Sequence, residues 1–240
     1  MISIIIPTLN EEKVLEKTLL ALRESKNISY EIIVSDGKST DNTIEVARKY
    51  ADKVLIYDGI TRQNIAMGRN LGASVANGDY LVFLDADVFV SQPESFFKQA
   101  LTCFEEDDKL VALIPKLRVF PELATLADKI IFNIVNFNFF LINNIFHKGG
   151  AGGEFQMIKT DVFKKIGGYN ENLSVAEDQE LFWRLSGQGY TKLIWSLEVL
   201  HTSRRAHKIG WPRLLWSWFI NLTYVMFMKK SYHKEWKEVR

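Results

Sequence analysis

Cysteine is nearly absent from this chain, because Cys103 is the only one among its 240 residues. A single cysteine excludes an intramolecular disulfide and is typical of a protein kept in a reducing compartment. The charge excess is equally small, since 30 basic and 29 acidic residues leave a formal net charge of +1. The chain has no general electrostatic drive toward nucleic acid, so we expect no nucleic-acid partner.

No uninterrupted apolar stretch is long enough to predict a membrane-spanning helix. The most apolar segment, residues 123–146, contains Asp128, Lys129 and several asparagines, which makes it too polar for a span. We expect a long amphipathic helix there, covering a binding site or lying on a bilayer. The apolar run over residues 2–6 has strand length and no basic leader, so we expect the protein to stay on the cytoplasmic side.

Glycine-rich phosphate loops are missing as well. The chain has no Gly-x-Gly-x-x-Gly after its first predicted strand and no Gly-x-x-x-x-Gly-Lys-Ser/Thr. A ligand with phosphates would need another means of charge neutralisation, and a divalent metal ion held by carboxylates is one.

A regular alternation of apolar strands and amphipathic helices is present in the first 85 residues. Strands are predicted over residues 2–6, 32–34, 54–56 and 80–84, with helices between them. We expect Pro7 to end the first strand. The alternation predicts a doubly wound, mostly parallel α/β sheet in a single domain.

The most informative stretch is the predicted strand Tyr80–Leu84 followed by Asp85, Ala86 and Asp87. Residues that follow a buried parallel strand lie at the carboxyl edge of the sheet, where α/β proteins bind ligands. In an extended segment Asp85 and Asp87 point the same way, and Ala86 leaves room beside the backbone. Paired carboxylates suit Mg²⁺ or Mn²⁺, which bridge to phosphates. The alternative is a solvated turn, because Asp-x-Asp is common.

Four short motifs follow one another at the predicted strand ends: Pro7-Thr8-Leu9-Asn10-Glu11, Asp36-Gly37-Lys38-Ser39-Thr40-Asp41-Asn42-Thr43, Arg69-Asn70-x-Gly72 and Asp85-Ala86-Asp87. Together they resemble the nucleotide-sugar half of a family 2 glycosyltransferase with the GT-A fold. The resemblance covers about residues 2–205 and implies a UDP- or GDP-sugar donor with Mn²⁺ or Mg²⁺ as cofactor. Lys38 stands where family members usually carry glycine.

The resemblance also assigns roles to single residues of the donor half, residues 1–90. It implies that a set of side chains lines the donor pocket: Pro7, Thr8, Glu11, Asp36, Arg69, Asp85 and Ala86. It implies that Asp87 and Asp85 hold the metal ion together with His201, which follows the last predicted strand. From residue chemistry alone, Asp36 could equally form an Asx-turn, and a lone histidine is usually structural.

A second signature lies in the acceptor half, residues 91–205. Gly167-Gly168-Tyr169 followed by Glu177-Asp178-x-x-Leu181-x-x-Arg184 resembles the acceptor side of the same family. Spacing alone allows Glu177 and Asp178 simply to stabilise the first turn of a helix. The resemblance implies that Asp178 is the general base of an inverting displacement and that Glu177 shapes the acceptor pocket. An ordinary aspartate pKa of about 3.9 would leave Asp178 ionised at neutral pH.

Residues 206–240 lie outside the resemblance and form an aromatic, basic tail. Its apolar part, residues 211–228, is preceded by Arg204 and Arg205 and followed by Lys229-Lys230. Tryptophans with basic neighbours predict a helix at a membrane interface. We therefore expect peripheral contact with the cytoplasmic face of a membrane and an acceptor that could be lipid-linked. Two alternatives are a spanning helix, against which Arg213 and Asn221 count, and a core helix that closes the domain.

Two rival functions stay open beside a hexosyltransferase-type glycosyltransferase. A nucleotidyltransferase also uses paired carboxylates on a doubly wound sheet, but it usually carries a Gly-rich basic loop where this chain has Leu9-Asn10-Glu11-Glu12. A non-catalytic sugar-nucleotide-binding or membrane scaffold protein would keep the fold without needing Asp178 as a base.

Overall fold

The computed structural model describes residues 1–228, 230 and 231, so Lys229 and residues 232–240 of the predicted tail lie outside the described residues. Within the described part, the strands are β1 Ile2–Thr8, β2 Tyr30–Asp36, β3 Lys53–Ile56, β4 Tyr80–Leu84, β5 Val88–Val90, β6 Leu110–Val119, β7 Phe155–Lys159 and β8 Tyr190–His201. The α-helices are α1 Glu12–Arg23, α2 Thr43–Tyr50, α3 Ile65–Ser74, α4 Pro93–Glu106, α5 Leu126–Phe140, α6 Thr160–Lys165, α7 Glu177–Ser186, α8 Arg204–Ile209 and α9 Trp211–Met228. A π-helical turn, Leu141–Ile145, continues α5.

The strands form one mixed sheet in the order β3-β2-β1-β4-β7-β6-β8-β5. β1 is parallel to β2 and β4, and β2 is parallel to β3, which is the predicted doubly wound half. β7 runs antiparallel to β4 and β6, and β5 runs antiparallel to β8. The chain order reverses between β1 and β4, and a crevice at such a point is where open α/β sheets bind ligands.

β1 packs on both faces, because successive side chains of a strand point to opposite sides. Ile4 belongs to the apolar cluster shared with Leu19 of α1, whereas Ile5 belongs to the cluster on the α3 side. A Cβ on Gly72 would lie 2.4 Å from Cγ2 of Ile5. Helix α3 can therefore approach the sheet closely only because this position is a glycine.

Pro7 does not end β1, contrary to the expectation from the sequence. It pairs with Ser35, and the strand continues to Thr8. The pairing of β1 with β4 stops at Ile5, so Pro7 lies where β1 has one neighbour left. A proline is tolerated at such a position because few ladder hydrogen bonds depend on its missing N–H.

Buried asparagines explain how the apolar segment 123–146 packs. Asn136 of α5 donates to the carbonyl of Leu117 and accepts from its N–H, both at 2.9 Å. Asn143 of the π-helical turn bonds the carbonyl and the N–H of Gly150 at 2.7 and 3.0 Å. Buried polar groups need such partners, so this face of the helix requires protein beside it. No helix among the described residues combines the length and apolarity that crossing a bilayer needs.

Candidate active site

A cavity of about 1110 Å³ opens at the carboxyl ends of β1 and β4. It is larger than the roughly 300–1,000 Å³ of most ligand pockets. Nearly all side chains that the sequence singled out line it: Pro7, Thr8, Glu11, Arg69, Asp85, Ala86, Asp87, Glu177, Asp178 and His201. The fold thus brings candidate donor, metal and base residues from both halves of the chain to one place.

Asp36 is the exception, because it is fully buried behind the cavity wall. Its carboxylate accepts from Oγ1 of Thr8 at 2.9 Å and from the N–H and hydroxyl of Ser39 at 2.7 and 2.6 Å. Asp36 therefore shapes the loop after β2 and orients Thr8, and its role toward a nucleotide stays a prediction. In the same loop Lys38 has φ 69°, a left-handed conformation that favours the glycine usual there.

Asp85 and Asp87 lie in a tight turn between β4 and β5, not in the extended segment expected. The N–H of Val88 donates to the carbonyl of Asp85 at 3.1 Å and closes the turn. The carbonyl of Ala86 accepts from Oγ1 of Thr18 at 2.7 Å, which ties the turn to α1. Both carboxylates still line the cavity, because the turn projects from the edge of the sheet.

Glu154 was missed by the sequence reasoning, although it lines the same cavity. The antiparallel strand β7 lies beside β4, and the N–H of Asp85 donates to the carbonyl of Glu154 at 3.1 Å. Burial raises the pKa of Asp85 to about 7, with Asp87 and Glu154 adding to the rise and Arg69 opposing it. Asp85 keeps 34% of its side-chain surface open, and it lines the cavity. The only sequence signal for Glu154 is its place directly before the short run Phe155–Ile158, whose residues predict a strand.

His201 has the properties of a metal ligand. Its Nδ1 accepts from the N–H of Ser203 at 3.2 Å, so the proton of the neutral ring is on Nε2, which is buried and has no hydrogen-bond partner among the described residues. Nε2 would bind a metal ion once this proton moves to Nδ1 and the hydrogen bond from Ser203 is given up. Burial lowers the pKa of His201 to about 4, so the imidazole is neutral at physiological pH, which is the form that binds metals. A neutral imidazole with the carboxylates of Asp85 and Asp87 fits Mn²⁺ or Mg²⁺ in chemistry.

Arg204 currently neutralises the candidate metal ligand Asp87. Its Nε donates to Oδ2 of Asp87 at 2.9 Å, its Nη1 donates to Oε2 of Glu11 at 2.9 Å, and Thr202 donates to the same Asp87 oxygen. In these side-chain positions, no three His, Cys, Asp or Glu residues in the described part of the chain are grouped closely enough to hold a metal.

Arg69 joins the donor half to the acceptor half. It is almost wholly buried; Nη1 donates to Glu177 at 2.9 Å, and Nη2 donates to Asp85 at 3.0 Å and to the carbonyl of Gly153 at 2.8 Å. Its guanidinium lies over the ring of Tyr169, 5.3 Å from the centroid. A Cβ on Gly153 would lie 2.9 Å from Nη2. The glycine-rich loop before β7, residues 148–153, therefore permits this close approach.

Asp178 lies in the first turn of α7, facing the cavity. Burial and the adjacent Glu177 raise the pKa of Asp178 well above its usual range, which corrects the ordinary value expected from the sequence. A Cβ on Gly153 would lie 3.6 Å from Oδ2 of Asp178, so the carboxylate of Asp178 lies close to the backbone of this loop. A carboxylate with a raised pKa is a stronger base, and general bases work best when their pKa is near the working pH.

Helix α9 forms a further wall of the cavity. At its start, Nε1 of Trp211 donates to Asp128 at 2.9 Å. Beyond its end, the hydroxyl of Ser231 accepts from the N–H of Ser174 and donates to the carbonyl of Val175, both at 2.9 Å. The helix is thus attached on both sides of the cavity.

Solved structures with a similar fold are glycosyltransferases. The mannosyltransferase PcManGT from Pyrobaculum calidifontis, in complex with GDP-Man and Mn²⁺, has a TM-score of 0.72 and 18% identity over 95% of this chain and 63% of its own. TarS from S. aureus, in complex with UDP-GlcNAc, has a TM-score of 0.68 and 18% identity over 97% of this chain and 68% of its own. These matches confirm the predicted GT-A fold.

The family of this chain follows from its amino-acid sequence. The profile of glycosyl transferase family 2 matches residues 3–167, and this chain therefore belongs to that family, as predicted. The succinoglycan biosynthesis protein ExoA of Rhizobium meliloti (strain 1021) is 29% identical over 90% of this chain. The probable glycosyltransferase YdaM of Bacillus subtilis (strain 168) is 30% identical over 79% of it. The matched regions span 66% and 47% of the lengths of these two relatives.

Proposed function

We propose that this chain is an inverting, metal-dependent glycosyltransferase of hexosyltransferase type. It moves a sugar from a nucleoside diphosphate to an acceptor hydroxyl. The observation that carries the proposal is that Asp178, with its raised pKa, lines the same cavity as Asp85, Asp87 and His201. No specific observation favours the nucleotidyltransferase or the non-catalytic scaffold.

The donor is a UDP- or GDP-sugar held at the carboxyl ends of β1 and β4. The structural neighbours PcManGT and TarS, which are in complex with GDP-Man and with UDP-GlcNAc, support this class of ligand. Pro7, Thr8 and Glu11 line that part of the cavity. Asp36 holds Thr8 from behind, and Arg69 holds Asp85, so both act on the donor site through a neighbour.

The metal site consists of Asp87, Asp85 and His201. When bound, Mn²⁺ or Mg²⁺ offsets the charge that develops on the leaving diphosphate. The Mn²⁺ in the PcManGT complex supports a divalent ion. Arg204 neutralises Asp87 and Glu11 in the present arrangement, and it lies where it can contact the diphosphate when the donor is bound.

The chemical step needs one base. The oxygen of the acceptor attacks the anomeric carbon, the bond from that carbon to the diphosphate breaks, and Asp178 takes the hydroxyl proton. A single displacement inverts the anomeric centre. Glu177 shapes the acceptor side and, together with burial, keeps the pKa of Asp178 high.

The apolar surface of the second half supports contact with the cytoplasmic face of a membrane and a lipid-linked acceptor. Large apolar side chains are exposed on α5 and α9, among them Ile130, Phe137, Trp216 and Phe219. Contiguous exposed apolar surface marks membrane or protein contact sites. An enzyme held at the bilayer surface would meet a lipid-linked acceptor there.

A thermal-shift experiment tests the donor and metal assignments together. At a ligand concentration of one hundred times Kd, binding stabilises a protein by about 2.7 kcal/mol. We expect a UDP- or GDP-sugar with Mn²⁺ to raise the Tm of the wild type, and Asp87→Ala to remove most of the Mn²⁺-dependent part. Asp161→Ala, at an exposed aspartate of α6, is the matched control. An unchanged shift in Asp87→Ala would contradict the metal site.

A further inference from the structure

The cavity extends from the catalytic carboxylates to side chains of α5 and α9, and we call this apolar part of the cavity the channel. Apolar side chains of the two helices line it there: Ile134, Val135, Phe139, Trp218, Leu222 and Met226. We propose that this channel binds the hydrocarbon chain of an acceptor whose hydroxylated head is joined to that chain through a phosphate. The inference rests on the proposed function, because it assigns the acceptor class of the same site.

A row of rings connects the polar end of the cavity to the channel. The ring centroids of His201 and Phe132 are 4.6 Å apart, those of Phe132 and Trp211 are 5.5 Å apart, and those of Trp211 and Trp218 are 6.1 Å apart. All four residues line the cavity. The base of a nucleotide sugar can stack on a single ring, but its ribose, diphosphate and sugar are polar and gain little from such a wall. A ligand that changes from polar to apolar matches the whole row of rings.

The channel reaches the surface between the two helices. Ile134 of α5 and Phe219 and Met226 of α9 line the cavity and are also exposed. At their first turns the helices are joined, because Trp211 donates to Asp128 and packs on Phe132. A hydrocarbon chain longer than the cavity could therefore leave it between the later turns of α5 and α9, where further apolar side chains are exposed.

Two cationic side chains of the cavity lining fit the phosphate. Lys148, at the start of the glycine-rich loop, and Arg205, at the start of α8, both line the cavity. An anionic group within hydrogen-bond distance of a lysine or arginine forms a charge-assisted hydrogen bond, which is stronger than a neutral one. Charge complementarity at one end and apolar surface at the other commit the channel to an amphiphile with a phosphate.

Two leucines of α9 give a matched test of the channel. Leu222 and Leu215 are 37% and 40% exposed, and of the two only Leu222 lines the cavity. The probe is farnesyl phosphate below its micellar concentration, titrated into the full chain with tryptophan fluorescence as the readout. We expect Leu222→Glu to weaken binding at least about tenfold and Leu215→Glu to change it less than about twofold.

A second pair of residues, on α5, tests whether the effect of the α9 substitutions comes only from local misfolding of α9. Ile134 and Ile130 are 63% and 51% exposed, and of these two only Ile134 lines the cavity. Ile134→Glu should again weaken farnesyl phosphate binding, and Ile130→Glu should not. If both members of each pair have equal effects, the probe binds to the outer apolar surface and the channel proposal is wrong.

Two further measurements separate the contributions of the hydrocarbon chain and of the phosphate to binding of the probe. We expect farnesol to bind more weakly than farnesyl phosphate and inorganic phosphate not to displace it; displacement by inorganic phosphate alone would overturn the proposal in favour of a free-phosphate site. Donor binding with Mn²⁺ is measured on the same variants. If the wild type binds the donor but does not bind farnesyl phosphate, the channel proposal is wrong and the proposed function still stands. If the wild type binds no donor with Mn²⁺, the proposed function itself is wrong.

Discussion

The two halves of the candidate site are built by different means. The donor half presents Thr8, Asp85 and Asp87 from the ends of parallel strands or from the turn that follows β4. The acceptor half presents Asp178 from the first turn of α7, behind a glycine-rich loop and under α9. The first half therefore depends on one sheet edge, while the second depends on several separate contacts. Arg69 connects the two.

The largest expected effect falls on the acceptor half. Asp178→Asn removes the base but keeps the shape, so transfer should fall about 10²–10⁴-fold while donor binding stays unchanged. Product formation from a labelled donor and calorimetric titration of the donor measure the two properties. Glu180→Gln, on the same turn but paired with Arg184, is the control. Wild-type transfer by Asp178→Asn would favour the non-catalytic alternative.

The link between the halves should matter next most. Arg69→Met leaves Glu177 and Asp85 without their buried partner, and breaking a buried ion pair costs about 3–5 kcal/mol. Urea denaturation followed by circular dichroism measures the free energy of unfolding. Arg23→Met breaks the partly exposed pair with Asp52 and should cost no more than about 1 kcal/mol. Equal losses in the two variants would show that Arg69 does not hold the halves together.

The pH dependence of kcat/KM tests the environment of Asp178. Because burial and Glu177 raise the pKa of Asp178, the base becomes protonated well above pH 4, and the rate should fall about tenfold per pH unit below that pKa. Glu177→Gln removes the neighbouring negative charge, so the acid limb should move to lower pH. An acid limb near pH 4 in the wild type would contradict the raised pKa.

The smallest expected effect concerns the helix that covers the acceptor half. Asn136→Ala leaves the buried N–H and carbonyl of Leu117 unpaired, which should cost about 1–3 kcal/mol. Asn133→Ala, at an exposed position of the same helix, should stay within about 0.5 kcal/mol. Thermal and urea unfolding of the two variants side by side measure the difference. If both lose the same stability, the hydrogen bonds of Asn136 do not hold α5 on β6.

Prediction from sequence worked best where neighbours along the chain decide the structure. The strand Tyr80–Leu84 was found with its observed bounds, and a helix with Glu177 and Asp178 in its first turn was expected. The expectation for Pro7 was wrong because strand pairing, not the residue alone, decides where β1 ends. The extended conformation expected for Asp85 and Asp87 was wrong because the chain turns there into β5.

By itself the sequence determined the order of strands and helices, the family motifs and the residue types available for chemistry, since periodicity and turn chemistry act over a few residues. Tertiary structure alone decided that Glu154 lies beside Asp85, that Arg204 neutralises Asp87, and that α9 forms a wall of the cavity. Those contacts join positions 69 to more than 100 residues apart in the chain. Local pattern carries no information about such pairs, because burial and hydrogen bonding between distant elements select them only once the sheet has formed.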